Sequence, residues 1–180
     1  MNNNTNINTI KMAKMAMLVA ISVLLVNIHF PIFPAAPFLE YDPADIPILV
    51  GTFAFGPIAG LIITIITAVI QGLTVSATSG VYGILMHIIA TGTYVLVAGF
   101  IYSKFKTKKS AIIAILIGTL SMAAIMVPAN LIITPFFMGM PASAITPLLP
   151  FIVAFNLIKA GVNGLITFIV YKKVSNFLHK

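Results

Sequence analysis

Five long apolar stretches limit most strongly the folds that are open to this chain. Each is close to or longer than the roughly 20 residues with which an α-helix spans the apolar core of a bilayer. Hydrophobic residues occupy 60% of the 180 positions and charged residues 7%, whereas about 25% of residues are charged in soluble domains. The chain is therefore predicted to be an all-α membrane protein. The stretches cover residues 12–28, 46–73, 81–102, 111–137 and 148–171.

The positive charge is concentrated between and beside these stretches. The formal net charge is +7, and all ten basic residues are lysines. Lysine clusters beside membrane helices are typical of the cytoplasmic side. The sequence has no basic helix face with interleaved aromatic residues, so a nucleic-acid partner is not expected. The absence of cysteine excludes disulfides and thiolate metal sites. The clusters comprise Lys11 and Lys14, the four lysines within 104–109, and Lys172, Lys173 and Lys180.

The stretch over residues 46–73 decides the predicted number of crossings. It is long for one crossing, and Gly56-Pro57 interrupts its middle. If it crosses twice, all three lysine clusters lie on the cytoplasmic side; if it crosses once, the cluster within 104–109 lies outside. We therefore predict six transmembrane helices with cytoplasmic N- and C-termini. The predicted helices are 12–28, 43–56, 57–74, 80–103, 110–137 and 147–174, in one domain over residues 11–180 that follows a polar tail over residues 1–10.

Local signals mark several helix starts. Asp42-Pro43 is predicted to cap and open the second helix, and Ser110 and Thr146-Pro147 to open the fifth and sixth. All three acidic residues lie in the predicted outer segment before and at the second helix. For Asp42 and Asp45 this favours a solvated loop with a helix cap.

Polar residues inside the predicted helices share one depth. Asn156, Lys159 and Asn163 lie at i, i+3 and i+7, on one face of helix six that Thr167 extends. Lys159 is the one charge deep in a predicted helix, where insertion costs about 2.5–3.5 kcal/mol. The shared depth predicts a binding pocket that opens to the outside. The other members of this depth band are His87, Asn130 and, near the outer end of helix three, Gln71.

Structural interpretations of the same residues remain open. Asn and Gln often join membrane helices by hydrogen bonds worth about 0.6 kcal/mol, and His87 alone is typical of a packing residue. The sequence contains no G-x-x-x-x-G-K-[ST] phosphate loop, no acid deep in a predicted helix and no catalytic constellation. These absences favour a substrate-capture subunit over an enzyme, and they predict that separate partners drive transport.

Four segments resemble those of a known family. They are Phe38–Pro47, Phe55–Gly60, Asn130–Pro135 and Phe155–Gly161, and the last, FNLIKAG, is the most specific. Over about Lys11–Lys173 the chain resembles the substrate-binding S components of energy-coupling factor (ECF) transporters, closest to the riboflavin-specific type. The resemblance implies a multi-pass subunit of the bacterial cell membrane that binds riboflavin from outside as its transported ligand, with no other cofactor and no metal.

The resemblance also implies roles for particular residues. Asn130, Asn156 and Lys159 would hydrogen-bond the flavin, and Ala16 and Ala20 would dock the membrane T subunit of a complex that also contains two ATPase subunits. The predicted substrate-binding set is completed by Leu39, Tyr41, His87 and Asn163.

Two departures keep alternative functions open. Ile84 follows Gly83, and His87 stands where the family often has Asn; Ile62–Val69 lacks the Glu and Lys common in the family's third helix. The alternatives are an S component for pantothenate, pyridoxine or folate, an autonomous secondary carrier, and a structural membrane subunit without a ligand.

Overall fold

The computed structural model describes the backbone of residues 3–179 and the side chains of these residues except 3–7, 176, 177 and 179. Lys180 and the first two residues of the predicted tail lie outside the described residues. The described chain forms six α-helices and one short hairpin. In chain order these are α1 (Asn3–Val26), β1 (Phe30–Pro31), β2 (Glu40–Tyr41), α2 (Asp45–Phe55), α3 (Pro57–Leu73), α4 (Gly80–Phe105), α5 (Lys108–Met138) and α6 (Leu149–His179).

The break inside the second apolar stretch is confirmed. Gly56 has φ 96°, a backbone conformation that favours glycine, and Pro57 occupies the first turn of α3. Because the chain reverses at this point, α2 and α3 pack against each other.

Two helix starts differ from the predicted ones. The predicted capping residue Asp42 accepts through Oδ1 from the Ala44 amide at 3.0 Å, but a turn follows it, and α2 begins at Asp45 and not at residue 43. Thr107, and not Ser110, caps α5, since its hydroxyl accepts from the Ser110 amide at 3.1 Å.

Both terminal helices also begin at other positions than predicted. Thr146-Pro147 lies in a 3-10 turn before α6, so that helix begins at Leu149. Residues 3–10 of the predicted tail are helical. No proline or glycine interrupts them, and extending an existing helix requires fixing only one residue per added hydrogen bond.

The helices from α2 to α6 pack in a closed order. Each contacts the next along the chain, α6 returns to α2, and α1 packs against α2 and α3. Four of the six, α1, α4, α5 and α6, are long and apolar enough to cross a membrane, while α2 and α3 are shorter apolar helices. The hairpin pairs Phe30 with Tyr41 and Pro31 with Glu40, and it lies between α1 and α2.

Two glycines of α6 provide a matched test of this packing. A Cβ at Gly164 would collide with the Tyr94 hydroxyl and the Ile115 side chain, whereas a Cβ at Gly161 meets nothing within 4 Å. We expect Gly164→Ala to lower the free energy of unfolding by about 1–3 kcal/mol through overpacking. Gly161→Ala should leave it unchanged or raise it by up to about 1 kcal/mol. Thermal unfolding in detergent measures both, and equal effects would contradict the close α4–α5–α6 contact.

Candidate functional site

A cavity of about 190 Å³ lies between the hairpin segment, residues 29–42, and helices α3 to α6. Its polar lining includes Lys159, Asn156, Asn130, Asp42 and His87, which the fold brings together from the hairpin segment and three helices. The rest of the wall is mainly apolar. This part of the lining includes Phe38, Leu39, Met86, Met122, Met126, Ile133, Phe137 and Phe155.

A buried ion pair forms one side of this cavity. Lys159 Nζ donates to Asp42 Oδ2 at 2.7 Å, and both side chains are less than 10% exposed. Each of the two charges offsets the cost of removing the other from water. The ammonium has two further hydrogens with which it can donate to a bound molecule.

The interpretation of Asp42 and Asp45 as solvated loop residues is wrong. Asp42 is 4% exposed and Asp45 is fully buried. Asp45 Oδ1 accepts from the Thr91 hydroxyl at 2.8 Å and lies 3.7 Å from His87 Nε2, so it joins α2 to α4. The segment folds inward because the lysine and hydroxyl partners compensate the two buried carboxylates.

Asn163 and Tyr41 do not line the cavity, although both were predicted to bind the substrate. The Tyr41 hydroxyl donates to Asn163 Oδ1 at 2.8 Å, and Asn163 Nδ2 donates to the Asp42 carbonyl at 3.1 Å and to Asp45 Oδ2 at 3.4 Å. Their hydrogen bonds therefore attach the segment after β2 to α6 behind the ion pair.

Asn130 and Asn156 line the cavity from neighbouring helices. Each amide donates to the carbonyl four residues earlier, that of Met126 or Ile152, at 2.8 Å. This bond fixes the orientation of each side chain and leaves its second N–H available. The Thr134 hydroxyl also donates to Asn130 Oδ1 at 2.9 Å.

His87, Leu39 and Gln71 lie in the lining as well. Sequence reasoning did not assign Asp42 to the site. A charge argument was available, since a buried lysine requires a nearby anion and the sequence contains only three acidic residues. The apolar walls had no comparable signal, because Met or Phe occurs in every helix except α3.

Ala16 and Ala20 lie on α1, outside this cavity lining. Both are exposed in the isolated chain, and they are one helical turn apart, whereas Leu18 and Val19 between them are buried. The two alanines therefore form a small-residue surface that other helices of the described chain do not cover.

Comparisons with known proteins agree on one family. The family model described as ECF transporter, substrate-specific component matches residues 10–171. Riboflavin transporter RibU of Staphylococcus aureus (strain TCH60) is 27% identical, over 94% of this chain and 93% of the relative. Riboflavin transporter FmnP of Bacillus subtilis (strain 168) is 28% identical, over 94% of each chain.

A solved structure has the same fold. It is described as the S component of a bacterial ECF transporter and is 30% identical to this chain, with a TM-score of 0.84. The match covers 94% of this chain and 98% of the solved one, so the fold is similar along nearly the entire length.

Proposed function

This chain belongs to the family of ECF transporter substrate-specific components, and from that premise we propose that it captures riboflavin for an ATP-driven importer. The observation that carries the proposal is the cavity in which Lys159, Asn130 and Asn156 face apolar walls. The names of the relatives from Staphylococcus aureus and Bacillus subtilis support riboflavin as the ligand.

The cavity suits the chemistry of a flavin. The edge of the isoalloxazine ring alternates hydrogen-bond donors and acceptors, which asparagine amides can meet in both senses and a lysine can meet as a donor. Its flat apolar body suits walls of Met122, Met126 and Phe155. We assign ligand contact to Asn130, Asn156, Lys159, His87 and Leu39, and an indirect, loop-holding role to Tyr41 and Asn163.

The direction of capture follows from the lysines. With α2 and α3 as a reversed pair inside the membrane, all three lysine clusters and both termini lie in the cytoplasm. The hairpin and the adjacent cavity then face the outside. At 11 residues α2 has a length of about 16 Å, which is too short to span the bilayer alone, so the hairpin segment completes this crossing.

The family implies partner subunits. The sequence has no phosphate-binding loop with which to hydrolyse ATP, so a membrane T subunit and two ATPase subunits would supply the energy. The exposed Ala16–Ala20 surface supports a close helix contact with the T subunit, because small residues let two helix backbones approach.

Direct binding tests the proposed ligand. We expect the purified chain in detergent to quench riboflavin fluorescence saturably, with a Kd between nanomolar and micromolar. Pantothenate, pyridoxine and folate serve as competitors. Saturable binding of one of these without riboflavin binding would keep the family and overturn the flavin. Substrate flux into liposomes that contain this chain alone would instead support a secondary carrier.

A further inference from the structure

We propose that Asp42 is a specificity-determining residue, which makes the cavity select a neutral flavin and reject one that carries a phosphate. This inference rests on the proposed binding of riboflavin. It concerns the charge of the cavity wall and not the hydrogen bonds to the ring. The ligand class that it excludes is the riboflavin phosphate monoester, whose phosphate carries between about −1.5 and −2 charges at neutral pH.

The charged groups around the cavity are few and mostly negative. Lys159 is the only lysine among the described residues that line it, and the sequence contains no arginine. Its ammonium lies 2.7 Å from the Asp42 carboxylate, so its charge is already compensated. Asp45 adds a second buried carboxylate next to His87, and Glu40 adds a partly exposed one to the lining. The three carboxylates of Asp42, Asp45 and Glu40 therefore outnumber the one lysine.

The electric field of the buried carboxylates acts strongly on a bound anion. Asp42 and Asp45 are almost completely buried, and water screens charges poorly in such surroundings. A compensated lysine still donates hydrogen bonds to the uncharged edge of a flavin. It does not supply the excess positive charge that a phosphate requires when it leaves water. The same cavity would take a phosphate if Asp42 lost its charge, because Lys159 would then be an unpaired cation.

The test compares the affinities for riboflavin and riboflavin 5′-phosphate in the unmodified chain and in the variant Asp42→Asn. Asn at position 42 keeps the size of the side chain and an oxygen that can accept from the Ala44 amide. We expect the unmodified chain to bind riboflavin at least about tenfold more tightly than riboflavin 5′-phosphate. In Asp42→Asn the ratio of the two affinities should shift by about tenfold towards the phosphate ester, the size expected from removing one poorly screened charge. A purely structural role of Asp42 would weaken both ligands equally and leave the ratio unchanged.

Two further variants complete the design. Glu40→Gln removes a half-exposed carboxylate from the mouth of the cavity, where water screens it, and the ratio should change less than about twofold. Asp45→Asn removes the second buried carboxylate and should shift the ratio in the same direction as Asp42→Asn, by about threefold. It therefore tests the same field even if Asp42→Asn does not fold.

The outcomes separate this inference from the proposed function. If the unmodified chain does not bind riboflavin, the proposed function is wrong. If it binds riboflavin and the phosphate ester equally, or if neither buried-acid variant changes the ratio, the proposed function stands and Asp42 does not determine specificity. A shift towards the phosphate ester in the folded variants supports the inference.

Discussion

Replacement of Lys159 by methionine is expected to weaken riboflavin binding by at least about a hundredfold. Methionine keeps an unbranched chain of similar length but removes the ammonium, so an acceptor on the flavin loses a charge-assisted hydrogen bond. A hundredfold loss corresponds to about 2.7 kcal/mol of binding free energy. The same change leaves Asp42 buried without its cation, and breaking a buried pair in this way costs about 3–5 kcal/mol of stability.

A second variant separates these two effects. Asp42→Asn combined with Lys159→Met removes both charges, so most of the lost stability should return while the affinity for riboflavin stays low. Thermal unfolding in detergent reports the stability, and quenching of flavin fluorescence reports the affinity. A double variant that regains both would mean that Lys159 acts only through the fold.

Replacement of Asn163 by leucine is expected to weaken riboflavin binding by about tenfold or more, although Asn163 does not line the cavity. Leucine cannot accept from the Tyr41 hydroxyl or donate to the Asp42 carbonyl, which leaves buried polar groups unpaired at about 1–3 kcal/mol each. The segment that carries Phe38, Leu39 and Asp42 into the cavity wall should loosen. Hydrogen exchange over residues 27–44 should therefore become faster in Asn163→Leu.

Tyr41→Phe is the matched control for this prediction. It removes only the hydroxyl whose hydrogen bond ends on Asn163 Oδ1 at 2.8 Å, so we expect a loss of about 0.5–1.5 kcal/mol in stability and an affinity change of only a few fold. If Asn163→Leu loses affinity without faster exchange over residues 27–44, Asn163 contacts the ligand directly, as the helix-face pattern predicted.

Most of the helices could be predicted because their signals are local. The apolar stretches and the Gly56-Pro57 break located five helices and the α2–α3 boundary to within a few residues. The error at the start of α5 arises because a cap depends on which nearby side chain reaches a free amide, and Thr107, not the predicted Ser110, caps this helix. At α2 the predicted capping residue, Asp42, does accept from the Ala44 amide, but a turn follows it and the helix begins two residues later than predicted.

The spacing of Asn156, Lys159 and Asn163 also determined, from the sequence alone, that one face of α6 is polar, because helical periodicity depends only on neighbouring residues. What that face contacts was decided by the tertiary structure. Asn156 and Lys159 line the cavity, whereas Asn163, on the same face, donates a hydrogen bond to the Asp42 carbonyl in the segment after β2. The pairing of Lys159 with Asp42 joins residues 117 positions apart. Only the packed helices bring these charges together, since burial of one requires the other, and no pattern within a single helix encodes a partner on a distant segment.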